Sequence, residues 1–250
     1  MKVSVTNTML LVLFAISISV PVFAQTSDNA LECYNAGNFT CALEEWRSIA
    51  DQGEAYAQNN MGILFENGQG VDRDDTEAVK WYRLAADQEY ASAQRSMGRM
   101  YEDGRGVDQD DAEAVKWYRL AADQGYAYAQ RSMGRMYKIG KGINQDDTEA
   151  VKWYRLAADQ GPARAQTDLG YSYESGQGVD QDYTEAVKYY RLAADQGLES
   201  AQTNLGYLYA NGQGVDQDYA EAVKWYRLAA DQGYARRQAN GMLQTVTAPT

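Results

Sequence analysis

The apolar residues of this chain recur at the spacing of an α-helix, and polar residues fill the positions between them. In residues 90–125, the first apolar set falls at intervals of four, three and one residues, on one helical face: Ala93, Met97, Met100 and Tyr101. A second set follows a glycine-containing turn: Ala114, Trp117, Tyr118, Ala121 and Ala122. The pattern predicts two amphipathic helices, one from roughly Ser92 to Tyr101 and one beginning at Asp110.

The same two-helix pattern returns with a period of 36 residues. Four copies of one ten-residue run, Val-Lys-Trp-Tyr-Arg-Leu-Ala-Ala-Asp-Gln, begin at Val79, Val115, Val151 and Val223. A fifth copy begins at Val187 and has Tyr189 in place of Trp. Such a period is typical of a solenoid, in which each unit buries its apolar faces against its neighbours. We therefore predict an all-α solenoid of helix pairs. Its five units cover residues 54–89, 90–125, 126–161, 162–197 and 198–233.

Each unit carries local signals for the ends of its helices. Asp110 is placed to cap the second helix, and Glu113 three residues later completes a capping-box pattern. Gly125 lies where a left-handed residue ends the helix, whereas the first unit has Glu89 there. Gly98 lies in the middle of the first helix, where glycine costs about 1 kcal/mol relative to alanine. Because every unit repeats this glycine, we expect a second helix backbone to approach closely.

The two ends of the chain depart from the repeat. Residues 1–24 have a basic start, an apolar stretch at 9–20 that is too short to span a bilayer, and small residues before the predicted cleavage point. This layout is typical of a secretory signal peptide. Cleavage near Ala24 would place a bacterial chain in the periplasm or outside the cell. Residues 25–53 are predicted to form a shortened helical pair, and residues 234–250 a partial repeat and tail.

Composition excludes several classes of chemistry. The chain has no histidine, which removes imidazole catalysis, and its two cysteines cannot form a four-thiolate zinc site. A net charge of −12 argues against nonspecific binding of nucleic acid. Gly-x-Gly segments follow helices rather than strands, and the acidic segments lack the spacing of a calcium loop, so both are interpreted as turns and helix caps. No enzymatic activity, cofactor or metal is predicted.

Two features admit more than one interpretation. Cys33 and Cys41 flank the short first turn, and an oxidising compartment favours a disulfide between them. The aromatic pairs of the second helices, such as Trp117 and Tyr118, lie on the apolar face and are predicted to pack in the core. A row of exposed aromatic rings at these positions would instead offer a platform for carbohydrate.

The units differ mainly along their first helices. Arg95 and Arg99 lie four residues apart and share a helix face, as do Arg131 and Arg135 in the next unit. Residues 126–161 contain 6 basic and 4 acidic residues, whereas the other four units are net acidic. A basic centre is therefore predicted inside an acidic array.

Tyr171 and Tyr207 occupy the position of Arg99 in the following two units. Because arginine and tyrosine are enriched at the hot spots of protein interfaces, these residues are predicted to form a partner-binding groove. The four arginines would meet an acidic partner segment, and the two tyrosines would supply apolar anchoring. Internal pairing of the arginines with nearby acids and a solvated face without a partner are the alternatives.

The repeating unit resembles the Sel-one-like repeat, a longer-period relative of the tetratricopeptide repeat. In one unit the resemblance is carried by Ala93-Gln94, Met97 to Tyr101, Gly104 to Val107, Asp110, Ala114 to Tyr118, Ala121-Ala122 and Gly125. It covers residues 54–233 closely and 28–53 weakly. The resemblance implies a right-handed superhelix whose first helices line a concave face, and members that act as adaptors in protein complexes. Exported bacterial members often take part in envelope processes or in contacts with host proteins.

The resulting prediction is an exported, non-catalytic, monomeric adaptor that binds a protein partner, without nucleic acid and without stable membrane insertion. A binder of glycan, such as peptidoglycan, or of a small molecule is the main alternative, and a structural spacer is another. A cysteine-rich branch of the resembled family is associated with β-lactam binding or hydrolysis. That branch carries cysteines in every repeat, whereas this chain has only Cys33 and Cys41, so a β-lactam-active enzyme fits poorly.

Overall fold

The part of the chain that the structure describes folds into α-helices joined by short turns. The computed structural model describes the backbone of residues 22–246 and the side chains of residues 29–233. The helices are α1 (Val22–Asn35), α2 (Phe39–Ala50), α3 (Ala55–Asn67), α4 (Asp75–Ala86), α5 (Ala91–Asp103), α6 (Asp111–Asp123), α7 (Ala127–Ile139), α8 (Asp147–Ala158), α9 (Ala163–Ser175), α10 (Tyr183–Asp195), α11 (Glu199–Asn211) and α12 (Tyr219–Val246). Of the predicted signal peptide, residues 1–21 lie outside the described residues, as does the end of the predicted tail.

Each helix packs against the next helix in sequence, both within a pair and between pairs. The pairs α3–α4, α5–α6, α7–α8, α9–α10 and α11–α12 are called units 1 to 5, and α1–α2 forms the shorter pair before them. This arrangement confirms the predicted all-α solenoid. In the described part of the chain, no helix combines the length and the apolar character needed to cross a bilayer.

The second helix of each unit begins at an aspartate cap, but the predicted capping box is only half present. Asp110 accepts a hydrogen bond from the amide of Glu113 at 2.9 Å, as predicted. The amide of Asp110 donates to the carbonyl of Tyr101 at 3.0 Å, because the turn returns the chain to the end of the first helix. The Glu113 carboxylate accepts from Lys116 at 2.7 Å instead. The prediction of a reciprocal bond from the amide of Asp110 to the side chain of Glu113 is therefore wrong.

The mid-helix glycine makes room mainly for an aromatic ring of the second helix. A Cβ added to Gly98 would lie 2.6 Å from Cδ1 of Tyr118, and Gly134 faces the ring of Tyr154 in the same way. Tyr118 is buried and donates a hydrogen bond from its hydroxyl to Glu102 at 2.8 Å. The predicted close approach of the second helix is present: its nearest atoms belong to the tyrosine ring, and at Gly134 the backbone carbonyl of Ala150 also lies 3.1 Å from the added Cβ.

The aromatic pairs of the second helices pack mainly in the core, as predicted. The tyrosines of units 1 to 4 are buried: Tyr82, Tyr118, Tyr154 and Tyr190. Tyr226 of unit 5 is 38% exposed, so the described core thins at this end of the array. Trp117 and Trp225 are also buried, and each contributes to the core between its own unit and the preceding one. These rings are thus unavailable as a carbohydrate platform.

A buried glutamine links each unit to the one before it. Gln94 donates from Nε2 to the carbonyl of Ala86 in unit 1 at 3.3 Å, and its Oε1 accepts from Gln124 at 2.7 Å. Gln130 repeats both contacts one unit later, with Ala122 and Gln160. Because a buried amide must have hydrogen-bond partners, these contacts fix how successive units stack.

The ends of the helices follow the glycine pattern with two exceptions. Gly125 has a φ of 88°, in the left-handed region, and Glu89 takes the same conformation at 63°. Gly233 lies inside α12, which continues without a break from Tyr219 to Val246. At the other end, a disulfide joins Cys33 of α1 to Cys41 of α2, with 5.8 Å between their Cα atoms.

Candidate functional site

The six residues predicted to bind a partner lie on the first helices of units 2 to 5. Arg95 and Arg99 belong to α5, and Arg131 and Arg135 belong to α7. Tyr171 lies on α9 and Tyr207 on α11, and they are 43% and 48% exposed. We call the surface formed by α5, α7, α9 and α11 the first-helix face.

Arg99 and Arg135 form ion pairs that join neighbouring units. Nη2 of Arg99 lies 2.5 Å from Oε2 of Glu66, and Nη1 of Arg135 lies 2.6 Å from Oε1 of Glu102. Both glutamates are buried, at 6% and 7% exposure. A buried carboxylate requires such partners, because its desolvation is otherwise unfavourable. Arg99 and Arg135 are therefore paired with acids inside the array, which was one of the alternatives left open by the sequence.

The electrostatics of these pairs favour the ionised carboxylates. Burial raises the pKa of Glu66, but the hydroxyl of Tyr82 and the guanidinium of Arg99 outweigh it and hold the pKa below its ordinary value. Glu102 behaves in the same way, with Arg135 and Tyr118 as its main partners. The ion pairs thus keep a negative charge in the core, and that charge binds the next unit.

The same two positions change together at the next boundary. Lys138 of unit 3 occupies the position of Glu102, and Tyr171 of unit 4 occupies the position of Arg135. Nζ of Lys138 lies 4.1 Å from the centroid of the Tyr171 ring, which is a cation–π contact. The variation at this position therefore has a cause inside the array, since each side chain fits its neighbour across the boundary.

Arg131 and Arg95 differ in their acidic partners, although they occupy the same position in successive units. Nε of Arg131 lies 2.6 Å from Oδ2 of Asp168 in unit 4. The residue at the position of Asp168 one unit earlier is Ser132, so Arg95 has no carboxylate there. Arg95 lies over the ring of Tyr128 instead, with 5.8 Å between its guanidinium carbon and the ring centroid.

Arg95 is therefore an unpaired cation within the described residues. Its Nε is buried and has no hydrogen-bond partner there. Arg164 also makes no ion pair with a described residue, and it is exposed on α9. Arg164 is not among the residues predicted from the sequence, although its position varies from unit to unit as Tyr128, Arg164 and Ser200, and this variation was the available signal.

These side chains meet at a cavity on the first-helix face. The cavity has a volume of about 610 Å³ and its walls come from units 2 to 5. We call it the arginine cavity, and define it by Arg95, Tyr126, Tyr128, Arg131, Arg164 and Leu198. A smaller cavity of about 250 Å³ shares Arg131, Arg164 and Leu198 and reaches Asp168. The structure thus brings Arg95 and Arg131 together, and leaves Arg99, Arg135, Tyr171 and Tyr207 outside these walls.

The charge balance of the cavity is positive. Asp168 is its acidic neighbour, and burial raises the pKa of this carboxyl in spite of the nearby Arg131 guanidinium. Tyr126 and Tyr128 form a tilted aromatic pair with 5.6 Å between ring centroids, and Tyr128 is 52% exposed. Among the residues searched, no cluster of acidic or cysteine side chains could hold a metal ion. The arrangement suits an anion with an apolar part.

Comparison with known proteins places the repeats in one family. The sequence model described as "Sel1 repeat" matches residues 55–90, 91–126, 127–162, 163–198 and 199–234. These segments have the period predicted above and begin one residue later. No curated protein matches the chain.

Several solved structures are similar. A Sel1 repeat protein from Oxalobacter formigenes is 38% identical, with a TM-score of 0.75 over 83% of each chain. The protective antigen c5321 of uropathogenic Escherichia coli, which displays an SLR fold, is 35% identical with a TM-score of 0.72, over 85% of this chain and 47% of the antigen. The immunity protein Pa5087 from Pseudomonas aeruginosa is 21% identical with a TM-score of 0.59, over 83% of this chain and 81% of its own, and shares the fold.

Proposed function

Because the chain belongs to the Sel1 repeat family, whose fold typically mediates protein–protein interaction, we propose that it is a non-catalytic adaptor that binds a protein partner through its first-helix face. The adaptor acts as a monomer after export, in the periplasm or outside the cell, in an envelope process or a contact with host proteins. Its partner presents an acidic segment to the first-helix face.

The observation that carries the proposal is a group of cations without acidic partners on this face. Arg95, Lys138 and Arg164 make no ion pair with a described residue, in a chain whose net charge is −12. Arg99 and Arg135 on the same face are instead neutralised by the acids of neighbouring units. A local positive surface on an acidic protein steers an acidic partner towards it and disfavours other orientations.

The remaining predicted residues support the face in other ways. Arg99 and Arg135 hold the units in register and keep about a third of each side chain exposed, at 34% and 36%. They therefore lie at the edge of the site, and their charge is neutralised by Glu66 and Glu102 within the array. Tyr171 and Tyr207 present exposed rings beside the cations and would anchor apolar parts of the partner.

A pull-down from envelope extract and from host secretions tests the proposal, with capture read by mass spectrometry. Charge reversal of Arg99 or Arg135 is unsuitable as a test of binding, because a glutamate there would face Glu66 or Glu102 and separate the units. The test bait takes residues that the chain itself uses at the same positions in other units: Arg95→Thr, Lys138→Ala and Arg164→Ser. The control bait loses the same charge from exposed lysines of the second helices: Lys116→Gln, Lys152→Gln and Lys188→Gln.

We expect the wild-type and control baits to retain one acidic protein that the test bait loses. Equal retention by all three baits would contradict the first-helix face as the binding surface. Retention of no protein by any bait would contradict the adaptor function. Purified cell wall would then replace the extract, since a peptidoglycan binder needs no protein partner.

A further inference from the structure

We propose that the arginine cavity is a carboxylate receptor. Arg95 and Arg164 bind a carboxylate group, and Tyr128 and Leu198 contact the apolar side chain next to it. This inference rests on the proposed function, because it assigns the chemistry by which the first-helix face recognises its acidic partner. It commits the binding to one place on that face and to one functional group.

Equivalent positions within the chain differ in whether an arginine finds an acidic partner. Side chains on the first helices meet their neighbours at fixed offsets, so Arg131 reaches Asp168, 37 residues later. The same offset from Arg95 leads to Ser132, which offers no charge. The exchange of aspartate for serine at this position therefore leaves Arg95 without the ion pair that Arg131 forms with the next unit.

Arg164 adds positive charge at a position where the previous unit has an aromatic ring. Arg95 lies over Tyr128, and the position equivalent to Tyr128 in the next unit is Arg164. Arg131 and Arg164 line the same two cavities, and Arg131 bonds to Asp168. Because Asp168 is committed to Arg131, Arg95 and Arg164 are left without an ion pair to a described residue.

Arg95 also has unmet hydrogen-bonding capacity. Its Nε lies buried without a partner among the described residues, which is unfavourable for a polar group removed from water. A carboxylate satisfies such a group well, because its two oxygens match the planar fork of a guanidinium. The exposed ring of Tyr128 and the side chain of Leu198 form an apolar wall beside it.

The carboxylate has two possible sources in a protein, a side chain and the end of a chain. Three fluorescein-labelled hexapeptides distinguish them by fluorescence anisotropy. One alternates Glu and Leu and has a capped carboxyl end, and the second alternates Gln and Leu and has a free carboxyl end. The third alternates Gln and Leu with a capped end, and so carries no carboxylate.

The protein variants again use residues found at equivalent positions of the chain. Arg95→Thr and Arg164→Ser each remove one guanidinium, and Tyr128→Ser removes the aromatic wall. Lys116→Gln is the control, because it changes the net charge equally and lies on a second helix outside the cavity. Circular dichroism of every variant checks that the helices are retained.

We expect at least one carboxylate peptide to bind, more weakly as ionic strength rises, and the uncharged peptide not to bind. Arg95→Thr and Arg164→Ser should each weaken binding about tenfold or more, the loss expected for one charge-assisted contact. Lys116→Gln should leave affinity unchanged. Preference for the Glu peptide identifies side chains as the source, and preference for the free carboxyl end identifies a chain terminus.

Equal binding of all three peptides, binding of none at 1 mM concentration (roughly the weak limit for a specific site), or binding unchanged by Arg95→Thr would overturn the receptor. Its failure is distinguishable from failure of the proposed function. If capture of a protein depends on the first-helix face while no peptide binds, the proposed function stands and the carboxylate receptor is rejected. If the peptides bind and no protein is captured, the receptor is kept and the protein partner is rejected.

Discussion

Glu89 shows how a single side chain can strain an otherwise regular repeat. Its φ of 63° lies in the left-handed region, where the equivalent residues of neighbouring units are Gly53, Gly125, Gly161 and Gly197. A non-glycine residue in this conformation loses about 1–2 kcal/mol through contacts between its Cβ and the backbone. Glu89 is exposed, so no core contact compensates for the strain.

We predict that Glu89→Gly raises the free energy of unfolding by about 0.5–1 kcal/mol. The gain is smaller than the relieved strain, because glycine also increases the entropy of the unfolded chain by about 0.4–1 kcal/mol. Urea unfolding followed by circular dichroism measures the change, and Gly125→Glu should shift stability in the opposite direction. A midpoint that is the same in all three proteins would show that this turn does not limit stability.

At the residue scale, local signals were predictable from the sequence and pairings between units were not. The left-handed conformation of Glu89 followed from its alignment with glycines in the other units. The different roles of Arg95, Arg99 and Arg131 did not, because each depends on a residue 33 or 37 positions away. A period of 36 does not reveal these offsets, which arise from the way one first helix lies against the next.

At the scale of elements, the helices were predictable from the sequence, whereas the contacts between them were not. The sequence predicted each helix pair and its aspartate cap, because both depend on neighbouring residues. It misassigned the amide of Asp110, whose partner Tyr101 is set by the path of the turn. It also left open whether the arginines of α5 and α7 meet an external partner or acids of the array, since a variable position looks the same whether it touches a ligand or the next unit.

The ion pairs between helices predict that the array loses stability in acid. Folding lowers the pKa values of Glu66 and Glu102 from their ordinary value of 4.5, and hydrogen bonds from Arg105 and Arg73 lower the pKa of Asp75 from 3.8 to about 2. A lowered pKa means that the unfolded chain binds protons first, so the stabilisation is complete above pH 4.5 and is lost as pH falls towards 2. Asp168, whose pKa is raised, has the opposite effect on stability, and its contribution changes mainly above its ordinary pKa of 3.8.

Urea unfolding between pH 6 and pH 2 measures this acid loss. Glu66→Gln with Glu102→Gln should be less stable than the wild type at pH 6 and should lose less stability in acid. Glu113→Gln is the matched control, because Glu113 pairs with Lys116 on the surface of one helix. An identical acid slope in the double variant and the wild type would mean that the buried pairs do not couple protonation to unfolding.

At the scale of the whole molecule, the stability of a repeat array is a sum of unit and boundary contributions. Each interior unit is covered on both sides, whereas a terminal unit has one open side. In the described part of the chain, the two ends differ in how they are closed. Tyr226 of the last unit is 38% exposed, while the first pair is joined by the disulfide between Cys33 and Cys41 and by contacts of Tyr34 with Trp46.

This asymmetry predicts that removal of the disulfide acts on one end of the array. A cross-link between residues 8 positions apart stabilises the folded state by about 2–3 kcal/mol in the chain-entropy model. Cys33→Ser with Cys41→Ser should therefore speed hydrogen exchange in α1 and α2, with a smaller effect in α3 and none in α7 to α10. Since boundary energies act only between neighbours, peptide binding at the arginine cavity should also be unchanged. Faster exchange along every helix would instead mean that the array unfolds as one cooperative unit, and that its first pair stabilises the binding face at a distance.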